Sequence, residues 1–157
     1  MTTRPAVIED SAAIARIYNQ GIEDRVATFE TRLRSAQDIE KWFDGVHPIM
    51  VAEEAEVVAF ASSSTYRPRE CYARIAECSV YVASEFRGRG AGRMVLLALQ
   101  DAARAAGFHK LLSRVFVENQ ASLRMLDALG WRQVGIYEKH GQLDGIWRDV
   151  VIVEKLL

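Results

Sequence analysis

Six residues near the middle of the chain, 87–92, read Arg-Gly-Arg-Gly-Ala-Gly. They follow a segment with the pattern of a β-strand, 76–82, and lead into residues 91–106, where apolar side chains recur at helical spacing. Glycines at such a junction let backbone N–H groups come close to an anion, and the start of the helix adds a partial positive charge. The stretch therefore predicts a site for a pyrophosphate.

Two common nucleotide-binding loops do not match this stretch. A Walker loop ends in Gly-Lys-Ser or Gly-Lys-Thr, and the last glycine here is followed by Arg93. A dinucleotide-binding loop needs a third glycine at a position that Arg93 or Val95 occupies. What remains is Arg-x-x-Gly-x-Gly, and the alternative is a glycine-rich turn that carries two solvated arginines.

Glu77, in the strand before the loop, is a candidate general base. A carboxylate beside a ligand site can accept a proton from a reacting group. The alternative role for Glu77 is an ion pair with Arg74 or another cation. Upstream of this strand, Arg67 and Arg69 flank a proline, and arginine forks suit planar anions. Taken alone, this pair is also consistent with ordinary solvated charge.

The composition fits one enzyme-sized domain. We expect a single domain over residues 1–157, because half of the residues are hydrophobic and the length is too short for two ordinary domains. A net charge of −1 gives no general attraction to nucleic acid. The two cysteines have no metal-ligand spacing, so no metal is expected. The chain shows neither a signal peptide nor a membrane-spanning run, so we expect a cytoplasmic protein.

Hydrophobic periodicity and turn signals predict the elements that position these residues. The predicted strands cover residues 4–7, 49–53, 56–64, 74–82, 110–117, 131–137 and 150–156. The predicted helices begin at Asp10, at a Ser35–Asp38 capping box that leads a helix to Phe43, at Ala91 and at Asn119. The resulting order is β-α-α-β-β-β-α-β-α-β-β, with the glycine loop between the fourth strand and the third helix.

This order and loop resemble the GCN5-related N-acetyltransferases (GNAT). The resemblance implies an α/β (α+β) fold in which a mixed, mostly antiparallel central sheet is splayed at the acetyl-coenzyme A (acetyl-CoA) site and flanked by helices. It implies acetyl-CoA as co-substrate. The residues that the resemblance assigns to acetyl-CoA are Val80, Val82, Arg87, Gly88, Arg89, Gly90, Ala91, Gly92, Asn119 and Ser122. For Asn119 the alternative role is that of a simple helix N-cap.

Three further blocks resemble the phosphinothricin acetyltransferases within this family. They are the Ala-Glu-Cys-Ser-Val-Tyr-Val strand at 76–82, the Arg-x-Arg-x-x-Tyr segment at 67–72, and the Lys-His-Gly and Trp-x-Asp-Val elements at 139–150. The last two elements are separated by more residues than in the phosphinothricin enzymes. In this respect the chain looks closest to the arsinothricin-resistance acetyltransferases.

The resemblance implies acetylation of the α-amine of a small, toxic, glutamate-like amino acid, which confers resistance. Acetylation of other amino acids, such as methionine sulfone or sulfoximine, and acetylation of proteins are the alternative activities. The resemblance also implies a homodimer with the site near the subunit interface. It assigns catalysis to Glu77 and His140, and substrate binding to Arg67, Arg69, Tyr72, Phe29 and Glu30.

Overall fold

Alternating apolar and polar residues build one seven-stranded sheet in this protein, whose computed structural model describes residues 1–157. The strands are β1 (Thr2–Pro5), β2 (Ile49–Glu54), β3 (Glu56–Thr65), β4 (Ile75–Val82), β5 (Lys110–Phe116), β6 (Arg132–Leu143) and β7 (Ile146–Leu156). The α-helices are α1 (Ser11–Asp24), α2 (Ala36–Glu40), α3 (Ala91–Ala105) and α4 (Gln120–Ala128). The predicted order of elements is confirmed.

The sheet order is β1-β2-β3-β4-β5-β7-β6. All neighbouring strands are antiparallel except β4 and β5, which run parallel and are joined by α3. The expected fold class, a mixed and mostly antiparallel sheet flanked by helices, is confirmed.

The parallel pair is short. Pairing of β4 with β5 runs from Ile75–Lys110 to Glu77–Leu112 and then stops, although both strands continue. Just beyond the last pair, the Ser113 hydroxyl donates a 3.0 Å hydrogen bond to the Cys78 carbonyl. The sheet therefore opens into a fork at this point, as the resemblance implied.

Apolar side chains fill the space on both faces of the sheet. On one face α3 supplies fully buried Val95, Leu96 and Leu99, and on the other α1 supplies Ile14 and Ile17. Each such side chain contributes about 1.5–3 kcal/mol when it leaves water. The sheet that contains the fork is therefore covered by α3 on one face and by α1 on the other.

The last two strands are longer than predicted. The polar segment 138–149 reads as a loop, yet it forms the outer half of a β6–β7 hairpin that turns at Asp144 and Gly145. A bulge absorbs the irregular part, because Tyr137 faces Val150 whereas the next pair is Gly141–Arg148. The Asp149 carboxylate accepts the Lys139 N–H at 2.7 Å within this bulge. Trp147 and Asp149 therefore belong to β7 rather than to a loop.

The start of the first helix also differs from the prediction. Asp10 precedes α1 but makes no side-chain cap to it. Its carboxylate instead accepts the Val7 N–H at 2.8 Å and pairs with Arg4 at 2.8 Å. The hydrogen bonds from Arg4 hold the pKa of the Asp10 carboxyl below its usual range. The Ser35–Asp38 capping box forms as predicted, but α2 ends at Glu40, short of Phe43.

We predict that Gly21→Ala in α1 destabilises the protein by about 1–3 kcal/mol. A Cβ atom at position 21 would lie 2.7 Å from two ring carbons of Tyr81, whose ring packs against Tyr18 and Phe60. Urea unfolding measures the change. Gly135→Ala is the matched control, because a Cβ at position 135 meets nothing within 4 Å. Equal stability of the two variants would contradict the packing argument.

Candidate active site at the strand fork

The fork between β4 and β5 encloses an opening of about 470 Å³. One wall comes from β4, the opposite wall from β5, and the base from α3 and α4. The predicted residues Val80, Asn119 and Ser122 all line this opening, together with Met125 and Leu126. A narrow opening with apolar walls and a few polar groups suits an extended, partly polar chain.

One edge of β4 has no neighbouring strand beyond the fork. The Cys78 carbonyl points across the fork to Ser113, so Val80 and Val82 present their backbone groups on that same edge. The Val82 carbonyl accepts a 3.3 Å hydrogen bond from Arg87 Nε. The N–H groups of Val80 and Val82 are thus positioned to donate to a bound chain or to a developing oxyanion.

The glycine loop leads directly into α3. Gly88 and Gly90 have φ values of 74° and 86°, which favour glycine. The first hydrogen bond of the helix runs from the Met94 N–H to the Gly90 carbonyl, so the N–H groups at the start of α3 remain free for an anion. The residues that contribute this anion site are Gly88, Gly90, Ala91 and Gly92.

The two arginines of the loop are held by surface ion pairs. Arg87 contacts Asp24 at 2.7 Å, and Arg89 contacts Glu54 at 3.1 Å. All four side chains are at least 38% exposed, and pairs of this kind contribute little to stability. Both guanidinium groups can therefore turn to a phosphate at small cost.

Asn119 caps α4 as predicted. Its Oδ1 accepts the Ser122 N–H at 3.3 Å. Its Nδ2 has no partner within the protein, so the amide can still donate to a chain in the fork. The capping role is confirmed, and the binding role stays a prediction.

A second opening, of about 1080 Å³, lies on the α1 face of β3 and β4. Its walls are polar, and they carry hydroxyl groups together with Glu30 and Lys41. Ser79 and Tyr81 line both this groove and the fork opening. The two spaces therefore meet at Ser79 and Tyr81. The residues lining the groove are Tyr18, Thr28, Glu30, Lys41, Trp42, Asp44, Ser62, Ser63, Ser64, Thr65, Ser79 and Tyr81.

Glu77 lies on the same face of β4 as Ser79, one pleat from the meeting point. Its carboxylate is 20% exposed and contacts Arg114 of β5 at 2.8 Å. Arg74 is not its partner, because Arg74 donates to the Gly107 carbonyl instead. The Glu77–Arg114 pair spans the start of the fork, because Glu77 belongs to the last strand pair and Arg114 lies two residues beyond that pair on β5.

Burial keeps two other titratable groups of the junction protonated. It raises the pKa of the Cys78 thiol to about 12, with a smaller contribution from the Glu77 charge. Burial also raises the pKa of the Tyr81 phenol. The Cys78 sulfur lines the fork but remains a thiol, so it does not compete as a nucleophile.

Phe29 and Glu30 lie between α1 and α2, and of the two only Glu30 lines the groove. The Phe29 ring packs edge-on against Phe116 at 4.6 Å and lies over Gly141, where a Cβ would approach it to 2.7 Å. Glu30 lines the groove and pairs with Arg34 at 2.7 Å. The structure thus brings the Phe29 segment onto the bulge of the Lys-His-Gly element.

The predicted residues Arg67, Arg69 and Tyr72 line neither opening, but their loop follows directly after Thr65, the last residue of β3, which lines the groove. Arg67 lies over the Tyr66 ring at 4.9 Å, and Arg69 lies over the Tyr72 ring at 5.8 Å. Neither guanidinium has a carboxylate partner in the chain. Two cations are thus held by aromatic faces with their N–H donors free.

His140 is not brought into the site within this chain. It is exposed, stacks on the Tyr137 ring at 4.4 Å, and lines neither opening. Glu77 also lines neither opening, but its partner Arg114 lines the fork, whereas His140 lies on the outer strand β6. The catalytic role of His140 stays a prediction.

Sequence reasoning missed three hydroxyl residues and one cation at this site. Ser62, Ser64 and Ser79 share a face with Glu77, and Arg114 is its ion-pair partner. The run of hydroxyl residues at 62–65 is the only local signal, and the strand register is needed before Ser62 and Ser64 can be placed beside Ser79 and Glu77.

Comparison with known proteins identifies the family. The model of the acetyltransferase (GNAT) family matches residues 14–131. The chain belongs to the GNAT acetyltransferase family. The acetyltransferase is 33% identical to phosphinothricin N-acetyltransferase from Streptomyces coelicolor, over 98% of this chain and 95% of that protein.

Two further comparisons concern activity and co-substrate. The acetyltransferase is 32% identical, over 96% of this chain and 91% of the relative, to an L-methionine sulfoximine/L-methionine sulfone acetyltransferase from Pseudomonas paraeruginosa. It superposes with a TM-score of 0.95 on YncA from Salmonella typhimurium, solved with its cofactor acetyl-CoA, at 30% identity over 100% of this chain and 94% of that one. These findings confirm the enzyme class and the phosphinothricin acetyltransferase-like grouping.

Two features were not found in the acetyltransferase. No cluster of three or more histidine, cysteine, aspartate or glutamate side chains has the arrangement of a metal site. None of its helices combines the length and apolar character needed to cross a bilayer.

Proposed function

We propose that the acetyltransferase moves the acetyl group of acetyl-CoA to the α-amine of a small glutamate-like amino acid with a second anion, of the phosphinothricin or arsinothricin type. The single observation that carries this choice is the pair Arg67 and Arg69, two cations without carboxylate partners in the loop that follows Thr65 of the groove. A substrate with two anionic ends offers such cations the partners that the chain does not provide. Acetylation removes the positive charge of the amine and so would confer resistance.

The residues at the fork fit acetyl-CoA. The free N–H groups at the start of α3 suit its pyrophosphate, and the open edge of β4 suits its amide-containing arm. Bound there, acetyl-CoA would supply an activated acyl group on a thiol leaving group. Val80 or Val82 would donate its N–H to the acyl oxygen, and Asn119 would hold the arm.

Glu77 is the proposed acceptor of the proton that the amine must lose. Arg114 fixes the carboxylate at the fork from the opposite strand. The amine enters from the groove, on the face of β4 that also carries Glu77. The amine would thus approach through the groove and the coenzyme would lie in the fork, so that the two meet at Ser79.

Methionine sulfone or sulfoximine is the second candidate substrate. It is favoured by the 32% identical relative that bears this activity and by the hydroxyl groups of Ser62 and Ser64 in the groove, which can donate to uncharged sulfone oxygens. Arg67 and Arg69 favour the dianionic candidate, because the uncharged sulfone or sulfoximine end of the other substrate cannot form an ion pair with a second arginine.

We also propose that the acetyltransferase forms a homodimer through the β6–β7 hairpin. β6 is a twelve-residue edge strand with no neighbour on its outer side. Long edge strands pair with other chains unless they are covered, and two-fold self-pairing is the simplest cover. The hairpin exposes Val134, Ile136, Tyr137, Ile146 and Trp147, each at 46% or more.

A substrate panel tests the proposed function. Release of free thiol from acetyl-CoA is measured with phosphinothricin, arsinothricin, methionine sulfone, methionine sulfoximine, glutamate and a short peptide. We expect the highest kcat/KM with the two dianionic analogues, and a loss of about 10-fold or more for these two in Arg69→Ala, since a charge-assisted contact contributes about 1.5–3 kcal/mol. Arg124→Ala is the matched control, because Arg124 is another exposed, unpaired arginine. Preference for the peptide would overturn the proposal.

Glu77→Gln should keep acetyl-CoA affinity and lose about 100-fold or more in kcat at neutral pH, because the amide cannot accept the proton. Calorimetry measures binding and the thiol assay measures turnover. Asp101→Asn, in a carboxylate 80% exposed on α3, is the control. Unchanged turnover of the Glu77 variant would remove it as the base.

The dimer proposal predicts a solution mass of twice the chain mass of 17.6 kDa. Trp147→Glu places a charge in the exposed hairpin and should give monomers with unchanged secondary structure. Val46→Glu is the control, because Val46 is 63% exposed but lies in the loop before β2. Light scattering after size exclusion measures the mass. A monomeric wild-type protein would rule out the dimer.

A further inference from the structure

Four polar side chains form a rectangle on the groove face of β3 and β4. Ser62 lies opposite Ser79, and Ser64 lies opposite Glu77, in the antiparallel register of the two strands. Side chains of directly opposed residues share a face and lie about 4.5–5.5 Å apart at Cβ. The rectangle therefore places three hydroxyl groups around one carboxylate.

The three hydroxyl groups have no hydrogen-bond partner within the protein. Two other serines, Ser63 on β3 and Ser113 on β5, differ, because Ser63 donates to the Pro48 carbonyl at 2.6 Å and Ser113 donates to the Cys78 carbonyl at 3.0 Å. In the rectangle only Glu77 has a side-chain partner, Arg114. The hydroxyl groups of the rectangle are thus free to bind water or substrate.

Their positions relative to the two openings are not equivalent. Ser79 lines both the fork and the groove, whereas Ser62 and Ser64 line only the groove. Glu77 lines neither, and its Cα lies two residues along the strand from Ser79, a separation of about 6.6 Å. An amine that reaches an acyl group in the fork therefore meets the Ser79 hydroxyl before it meets the Glu77 carboxylate.

We propose that Ser79 relays the amine proton to Glu77, an inference that rests on the proposed function. The ammonium group of the substrate gives a proton to the Ser79 oxygen while the Ser79 hydroxyl proton passes, through a water held by Ser64, to the Glu77 carboxylate. The neutral nitrogen then forms the C–N bond, and the C–S bond breaks with its electron pair on sulfur. The sulfur takes up the second amine proton to give free thiol. Glu77 later releases the first proton to solvent.

A hydroxyl group suits this position because it is both a donor and an acceptor. It can accept one proton while it donates another, so it passes a proton without keeping a charge. Tyr81, the other residue common to both openings, is less suited, since its phenol is buried against Tyr18 and Phe60.

Charged and titratable groups from several elements face this region. They are Arg114 on β5, Tyr18 on α1, Glu30 in the segment before α2, Lys41 and Asp44 in the segment after it, and Cys78 and Tyr81 on β4. The hydrogen bonds from His47 and Val46 lower the pKa of the Asp44 carboxyl, and burial raises the pKa of the Tyr18 phenol. Since the test below compares variants that share all of these groups, their titration cancels in the ratio of rates.

The test compares wild-type, Ser79→Ala and Ser79→Thr enzymes in the thiol-release assay between pH 7 and about 9.5. At pH 7 we expect Ser79→Ala to lose about 30-fold in kcat, with the KM for acetyl-CoA unchanged. Ser79→Thr keeps the hydroxyl and should recover most of the rate. As pH rises, more of the amine is already neutral and needs no relay, so the deficit of Ser79→Ala should narrow to about threefold or less.

Thermal melting establishes that both variants are folded. A deficit of the same size at both pH values would show that Ser79 only positions the substrate, and an unchanged kcat would show that it has no role; either result overturns the relay. An inactive wild-type enzyme with every amine of the panel would instead overturn the proposed function, and the relay with it. Wild-type activity thus separates the two failures.

Discussion

The separation of β4 from β5 after three residue pairs is the constraint on which the rest of the structure depends. A parallel pair normally satisfies the backbone groups of both strands. Here the pairing stops at Glu77, and the Ser113 hydroxyl donates to the next carbonyl on that edge, the one of Cys78. The remaining backbone groups on this edge of β4 face an open space. The fold thereby keeps a row of donors and acceptors ready for an extended ligand, at the cost of strand pairing.

The same separation explains why charged groups gather where they do. Glu77 is the last β4 residue paired with β5, so its side chain lies at the vertex of the fork, and Arg114 reaches it from the far side. The ion pair links two strands that no longer share backbone hydrogen bonds. This one contact therefore orients the Glu77 carboxylate and also connects β4 to β5 at the vertex of the fork. The glycine loop follows at the other end of the same strand, so one element positions both the anion site and the acid–base group.

Much of this arrangement follows from local sequence. Periodicity and turn residues predict the order of elements, and glycines before an apolar helix predict the anion site at Gly88 and Gly90. The hairpin was underestimated because its outer half is polar and irregular, and only the pairing with β7 shows that Lys139 lies in a bulge. Ser79 and Arg114 were missed for a different reason. Their relation to Glu77 depends on the register across β3, β4 and β5, and no local pattern encodes it.

The residues that line the fork also indicate which group needs acid–base assistance, the attacking amine or the departing thiol. The titratable groups along it are Cys78, Tyr81 and Arg114, and burial raises the pKa values of the thiol and the phenol. A thiol leaving group has a pKa of about 8.5 and departs as thiolate without much assistance, whereas an amine that is protonated at pH 7 must lose a proton before it can attack. The carboxylates accordingly lie on the amine side of Ser79, because Glu30 and Asp44 line the groove, whereas no carboxylate lines the fork. This asymmetry favours a site built to deprotonate the nucleophile rather than to protonate the leaving group.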